Sequence, residues 1–211
     1  MLSFMAIGRI LWTILAFVLW AAVHSLTAAR PVKRWVRERV GQRAYDGMYR
    51  LAYNVFSVVS ILPLLILLAT RVPATILWRV RRPFSYAFVL VQLGGLAGLA
   101  LSLLQTDVWR FAGVRQALRY LQGAPEPDAP GAFVQSGTYG LVRHPLYLFS
   151  MLLIWFTPLM TLNTLLFNIL ATLYFLLGAI HEERRLLLEF GEAYRRYREE
   201  VPAFLPWPRG S

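Results

Sequence analysis

The sequence predicts an all-α integral membrane protein with about five transmembrane helices, a helical hairpin near residues 145–180 and a cytoplasmic C-terminal helix. Three observations carry this expectation. Hydrophobic residues fill 57% of the 211 positions and the mean hydropathy is +0.50, too apolar for a soluble domain of this size. Apolar runs near bilayer-spanning length recur along the chain. Lys and Arg number 22 against 11 Asp and Glu, and they gather between the apolar runs, where they orient helices and meet phospholipid headgroups. Membrane phospholipids are therefore expected partners. Nucleic acid is not, because no soluble domain organises the arginines. The chain has no Cys, which excludes disulfides, a thiolate nucleophile and thiolate metal ligands.

The first span is expected over residues 10–28, between Arg9 and Arg30-Pro31. Its start resembles a secretory signal, but the run has full transmembrane length and His24 falls where a cleavage site would lie, so it reads as a retained helix. Residues 30–50 form a basic connection, part of it an interfacial helix with Trp35 and Val36 towards the acyl chains. The second span is expected at 51–70, with Pro63 as a kink, and the third at 84–104, where Gly94 and Gly98 are spaced for close helix contact. Between them, residues 71–83 break the pattern with four arginines, as a re-entrant or interfacial segment would.

Residues 107–122 read as one amphipathic helix capped by Asp107, followed by a Pro- and Gly-rich loop over 123–137. The hairpin has expected arms at 145–160 and 163–180, each near the short limit for a crossing. In the tail, Glu183, Leu187, Phe190, Tyr194, Tyr197 and Val201 step by four and three and share one face of a helix. That face is either an ordinary docking surface or the wall of a pocket.

Five spans divide the cations unequally. Seventeen Lys or Arg lie on the side of Arg30 and five on the other, which places the N-terminus outside and the C-terminus in the cytoplasm. The short loops fit a bacterial inner membrane. The whole of 1–211 is expected as a single membrane domain. Two polar clusters, Arg143-His144 and the residues from His181 to Arg185, then reach the same membrane level at the open end of the hairpin. Each has an ordinary reading: His144-Pro145 starts a helix and Arg143 meets phosphate. Facing each other, they point to a site.

Arg-His-Pro-x-Tyr at 143–147, Glu-Glu at 182–183 and Gly-x-x-Tyr-x-x-Tyr at 191–197 together resemble the C-terminal pattern of the membrane methyltransferases. That group includes isoprenylcysteine carboxyl methyltransferases, phospholipid methyltransferases and bacterial methanethiol S-methyltransferases. The resemblance covers about residues 133–206, which it marks as the cofactor-binding and catalytic portion. The N-terminal stretch HSLTAARPVKR resembles the thiol methyltransferase group and NnrU-like membrane proteins. The resemblance implies S-adenosylmethionine as cofactor and methyl transfer, at the cytoplasmic face, to a small thiol or an amphiphilic thiol, carboxylate or lipid acceptor. A non-catalytic NnrU-like scaffold or partner-binding protein is the alternative.

Carried over by motif, Tyr139, Val142, His144, Pro145 and Tyr147 would line the cofactor region. Glu182 and Glu183 would hold its charged methionine portion or position Arg143, and Tyr194 and Tyr197 would close the cavity. Arg143, His144 and His24 are the candidate catalytic groups, with His144 either taking the acceptor's proton or hydrogen-bonding the cofactor, and His24 a candidate to touch the acceptor. His181 is expected to cap or bond locally. A sulfonium donor carries its own leaving group, so neither metal nor covalent nucleophile is required.

Overall fold

The computed structural model describes residues 3–124 and 133–206, all but two short strands of its regular structure being helical. Part of the Pro- and Gly-rich loop lies outside the described residues. Two compact units emerge, one from Met1–Pro73 and Asp107–Gly131, the other from Ala74–Thr106 and Ala132–Ser211. Both lie within the span that the sequence treats as one membrane domain.

In the first unit, α1 (Phe4–Ala28) begins earlier than expected because Ser3 caps it, its hydroxyl accepting from the Ala6 amide at 3.2 Å. Helix α2 (Arg30–Val40) starts on Pro31 and stops at Gly41, whose φ of 85° suits glycine. Helix α3 (Gln42–Arg71) then runs through 30 residues and absorbs Pro63 without ending. It is about 45 Å long at 1.5 Å per residue, against about 30 Å of hydrocarbon, so its first turns extend beyond the apolar layer.

Helices α1 and α3 run antiparallel and are joined by polar rungs. Trp20 Nε1 donates to Ser60 Oγ at 3.0 Å, Tyr53 Oη meets His24 Nε2 at 2.7 Å, and the Tyr49 hydroxyl donates to the Thr27 carbonyl. Such bonds replace the hydrophobic drive that lipid removes from helix association.

The single helix expected over 107–122 is two, α5 (Val108–Ala112) and α6 (Val114–Leu121), parted by Gly113 at φ 86°. The predicted Asp107 cap is present, accepting from the Arg110 amide at 3.0 Å. The break has a steric cause: a side chain at residue 113 would collide with the backbone at Arg50 and Leu51 of α3. Arg50 Nε and Asn54 Nδ2 donate to the carbonyls that the break frees at Phe111 and Ala112.

The second unit contains β1 (Ile76–Arg79), α4 (Phe84–Leu104), α7 (Thr138–Leu141), α8 (Pro145–Trp155), β2 (Leu159–Thr161), α9 (Leu162–Phe190) and α10 (Glu192–Glu200). The 71–83 break contributes β1, which pairs antiparallel with β2 in the register Ile76 to Thr161, Trp78 to Met160 and Arg79 to Leu159. Neither strand is long enough to show alternation in the sequence. Their pairing links positions 80 or more residues apart, and local periodicity cannot report such a link.

Helix α4 keeps its expected bounds. Its close-packing residues are Gly95 and Gly98, not the Gly94 and Gly98 pair expected from spacing: nothing lies within 4 Å of a Cβ at Gly94. A Cβ at Gly95 would stand 3.1 Å from the Phe149 carbonyl, and one at Gly98 would strike the Phe149 ring.

The hairpin arms also differ from expectation, at 145–155 and 162–190. With 11 residues, α8 is about 16 Å long, roughly half the hydrocarbon thickness. Its last carbonyls must be satisfied without water. The Phe156 amide donates to Leu152 O at 3.3 Å, Gln92 Nε2 of α4 to Leu153 O at 2.9 Å, and Asn168 Nδ2 of α9 to Ile154 O at 2.8 Å. Among the described residues four helices, α1, α3, α4 and α9, are long and apolar enough to cross a membrane.

Candidate functional site

The site begins where α4 leaves its span. The Gln105 side-chain oxygen accepts from the Thr138 amide at 3.0 Å and from its hydroxyl at 2.7 Å, while Ser102 Oγ lies 3.0 Å from Thr138 Oγ1. Thr138 and Ser102 are buried. These bonds fix the one-turn helix α7, and Gly137 at φ 64° gives the chain its entry, because a side chain there would collide with Gln105. Val142 follows in extended conformation and is buried, so Arg143 and His144 emerge at a fixed point ahead of Pro145, the first residue of α8.

Arg143 joins three segments. Its Nε and Nη2 donate to Glu183 Oε1 of α9 at 2.8 and 2.7 Å, and its Nη1 donates to the carbonyls of Arg198 at 3.0 Å and Val201 at 2.5 Å at the end of α10. Its side chain is 8% exposed and that of Glu183 19%, so the pair is largely screened from water. The peptide amides of Arg143 and His144 donate to Pro202 O and Ala203 O at 2.8 and 3.1 Å, pinning the chain beyond α10 against this junction.

His144 is buried and engaged on every side. Its Nε2 contacts Glu183 Oε1 at 3.1 Å and its Nδ1 faces Glu182 Oε2 at 3.6 Å. Its ring lies between Tyr147, 5.6 Å away and tilted 19°, and Phe204, 5.4 Å away and tilted 29°. Tyr147 in turn stacks on Phe175 at 5.4 Å, making a column of four rings. Glu182 keeps a side chain 38% exposed, with Arg185 Nη2 4.0 Å away.

The expected stripe from Glu183 to Val201 does not lie along one helix. Gly191, at φ 55°, ends α9 and starts α10. Its apolar members still converge: Tyr194, Tyr197 and Val201 form a buried cluster with Leu186, Leu187, Phe190 and Phe133. The two phenols differ. The Tyr197 hydroxyl donates to the Tyr139 carbonyl at 2.6 Å, whereas the Tyr194 hydroxyl, on a residue only 1% exposed, has no hydrogen-bond partner among the described residues.

Burial pushes the Tyr194 phenol up to about 12, assisted by the Glu183 charge and opposed by Arg143. Tyr139 is likewise pushed up to about 12, by burial and then by Glu182. Tyr197 rises too, chiefly by burial.

Of the predicted site residues, the structure thus brings Tyr139, Val142, Arg143, His144, Pro145, Tyr147, Glu182, Glu183, Tyr194 and Tyr197 into the second unit's junction of α7, α8, α9 and α10. His24 belongs to the first unit, stacked on Trp20 at 5.2 Å and bonded to Tyr53. His181 is exposed and its Nδ1 lies 2.8 Å from Leu177 O, a local bond within α9. Sequence reasoning did not single out Phe204, Phe175 or Gln105. The run VPAFLP at 201–206 held the available signal, an aromatic between prolines that keep the chain extended.

The family model described as "NnrU protein" matches residues 12–201. The chain is 36% identical over 192 residues to a methanethiol S-methyltransferase of a Pseudomonas species, covering 89% of this chain and 70% of that protein. It is 34% identical over 191 residues to one from Mycobacterium tuberculosis, with 90% and 75% covered. It is 30% identical over 197 residues to methanethiol S-methyltransferase 1 of Bradyrhizobium diazoefficiens, with 93% and 66% covered. The chain therefore spans about two thirds to three quarters of these relatives' lengths. No solved structure matches it at a significant level. The chain belongs to the NnrU family, among relatives that are methanethiol S-methyltransferases by name.

Proposed function

We propose that this NnrU-family chain transfers a methyl group from S-adenosylmethionine to a small thiol at the membrane, using the junction of α7, α8, α9 and α10. It is a methyltransferase by kinship over most of its length. The observation that carries the site assignment is the convergence of Arg143 and His144 on Glu183, held 40 and 39 residues away in sequence by the helical hairpin.

The residues fit an S-adenosylmethionine-like ligand, which presents an ammonium, a carboxylate, a sulfonium and an adenosine. The buried Tyr194 hydroxyl is a donor with no described partner, and Glu182 is a partly open carboxylate suited to an ammonium. When bound, the cofactor supplies a methyl carbon already attached to a positive leaving group. The chain's own residues bind and orient. Arg143 and His144 hold Glu183, Tyr147 hydrogen-bonds Glu182, Val142 and Pro145 are buried on either side of the Arg143-His144 turn, and Tyr197 fastens α10 to Tyr139.

We assign His144 to positioning. Both its nitrogens face carboxylates, so it takes an acceptor's proton only by giving up one of these contacts. The thiol proton then passes to water or leaves before binding.

The small thiol is favoured over a prenylcysteine or phospholipid acceptor by the names of the relatives. We place the reaction at the cytoplasmic face of a bacterial inner membrane on the excess of arginines at that side. The test is calorimetry of the full detergent-solubilised chain with S-adenosylhomocysteine, followed by labelled-methyl transfer to thiol, prenylcysteine and phospholipid acceptors. Binding that is lost in Glu183→Ala, with product on the thiol, supports the reading. Binding without transfer to any thiol overturns the acceptor, and absence of binding restores the scaffold alternative.

A further inference from the structure

The first unit carries a recess unrelated to the methyl-transfer junction. It is an open depression of about 520 Å³ between the α2–α3 turn and the end of α6, lined by Val40, Gly41, Gln42, Arg43, Ala44, Tyr120 and Leu121. Its walls have two characters. Arg43 supplies a guanidinium, 5.7 Å from the centre of the Tyr120 ring. Val40 and Leu121 supply apolar surface that is 52% and 73% exposed.

The surroundings are cationic. The turn of α2 that leads into the recess holds Arg37, with its guanidinium 4.6 Å from the Tyr45 ring, and Arg39, 5.3 Å from the exposed Trp35 ring; Arg119 lies on the last turns of α6. Glu38 and Asp46 are the carboxylates on the same stretches of α2 and α3. The recess also sits where α3, longer than the hydrocarbon is thick, begins outside it.

We propose that this recess binds an anionic phospholipid, its phosphate on Arg43 and its acyl chains along Val40 and Leu121, with Arg39 on the adjoining turn of α2 adding to the attraction. The occupant follows from the pairing of cation and exposed apolar surface. A soluble anion would leave Val40 and Leu121 in water, and a zwitterionic lipid would leave the excess of guanidinium uncompensated. Tyr120 and Trp35 hold the two guanidiniums by cation–π contact, which fixes their direction without neutralising them.

The experiment uses the full chain in a mild non-ionic detergent, titrated with fluorescent phosphatidylglycerol or phosphatidylcholine, with glycerol phosphate as competitor. Phosphatidylglycerol is expected to bind in preference to phosphatidylcholine, and affinity is expected to fall about five-fold for each cation removed in Arg39→Gln and Arg43→Gln. Arg43→Lys retains most of the preference, and Arg81→Gln, on a segment of the second unit outside both sites, leaves it unchanged. Three results overturn the proposal: equal binding of the two lipids, an equal loss in Arg81→Gln, or displacement of the lipid by glycerol phosphate at comparable concentration. Because lipid binding is read directly, failure here is independent of methyl transfer. Arg39→Gln lies on the exposed face of α2 and tests the idea even if Arg43→Gln fails to fold.

Discussion

His24, within α1, and His144, immediately ahead of α8, each lie beside a tyrosine, yet their surroundings are built differently. His24 forms one rung between α1 and α3, bonded to Tyr53 and stacked on Trp20, with separate rungs at Trp20–Ser60 and Tyr49–Thr27. Each rung can fail by itself. His144 shares Glu183 Oε1 with Arg143, which also holds the carbonyls of Arg198 and Val201 at the end of α10, so three chain segments meet at one ion pair. A ladder spreads stability over many weak bonds; a hub concentrates it and fixes several side chains at once, as a binding site requires.

The contrast is broken most strongly at its centre. Glu183→Ala leaves the Arg143 guanidinium largely buried and uncompensated, and is expected to cost about 3–5 kcal/mol of stability by thermal unfolding in detergent, with S-adenosylhomocysteine binding abolished. Replacing both partners in Arg143→Met with Glu183→Met is expected to recover most of the stability and none of the binding. Recovery of both would reduce the hub to a structural clasp.

The two phenols sharpen the comparison within the second unit. Tyr194→Phe removes a hydroxyl without a described partner, so stability should hold while S-adenosylhomocysteine affinity falls about ten-fold, the worth of one hydrogen bond. Tyr197→Phe removes the bond to the Tyr139 carbonyl and is expected to cost about 1 kcal/mol of stability. If the two variants behave alike, Tyr194 has no binding role.

On the ladder, Tyr53→Phe is expected to cost about 0.6 kcal/mol, typical of an interhelical hydrogen bond in a membrane, and to leave cofactor affinity unchanged. A loss as large as that of Glu183→Ala would refute the distinction between ladder and hub.

The smallest effect is optical. Tyr139 and Tyr194 should ionise near pH 12, later than exposed tyrosines at 10. With a raised folded pKa, the folded chain keeps a proton that the unfolded chain releases; that contribution is complete below pH 10 and is lost as the pH rises towards 12. Spectrophotometric titration should lose one late-ionising group in Tyr194→Phe.

The spans were legible because bilayer thickness imposes length and apolarity locally, and α4 came out at residues 84–104 as expected. The meeting of residues 143–144 with 182–183 was legible because a hairpin returns to the level at which it starts, although its first helix, α8, is shorter than the arm expected. The glycine breaks at 113 and 191 were not, since each depends on what the flanking helices pack against. The packing pair Gly95 and Gly98 was mistaken for Gly94 and Gly98 because spacing alone does not say which face meets α8. Phe204 over His144 and the β1–β2 pair are contacts across more than 50 residues between short segments, and no periodicity records them.

Helix α8, half the length of a bilayer crossing, constrains how the chain is made. Alone it is too short for the crossing that about 20 apolar residues would make, so it depends on neighbours, above all on α4, whose Gly95 and Gly98 pack against Phe149. Its last peptide groups also need Gln92, which synthesis delivers on α4 more than fifty residues earlier. The order of translation thereby has the receiving partner in the bilayer before the short segment that depends on it emerges from the ribosome.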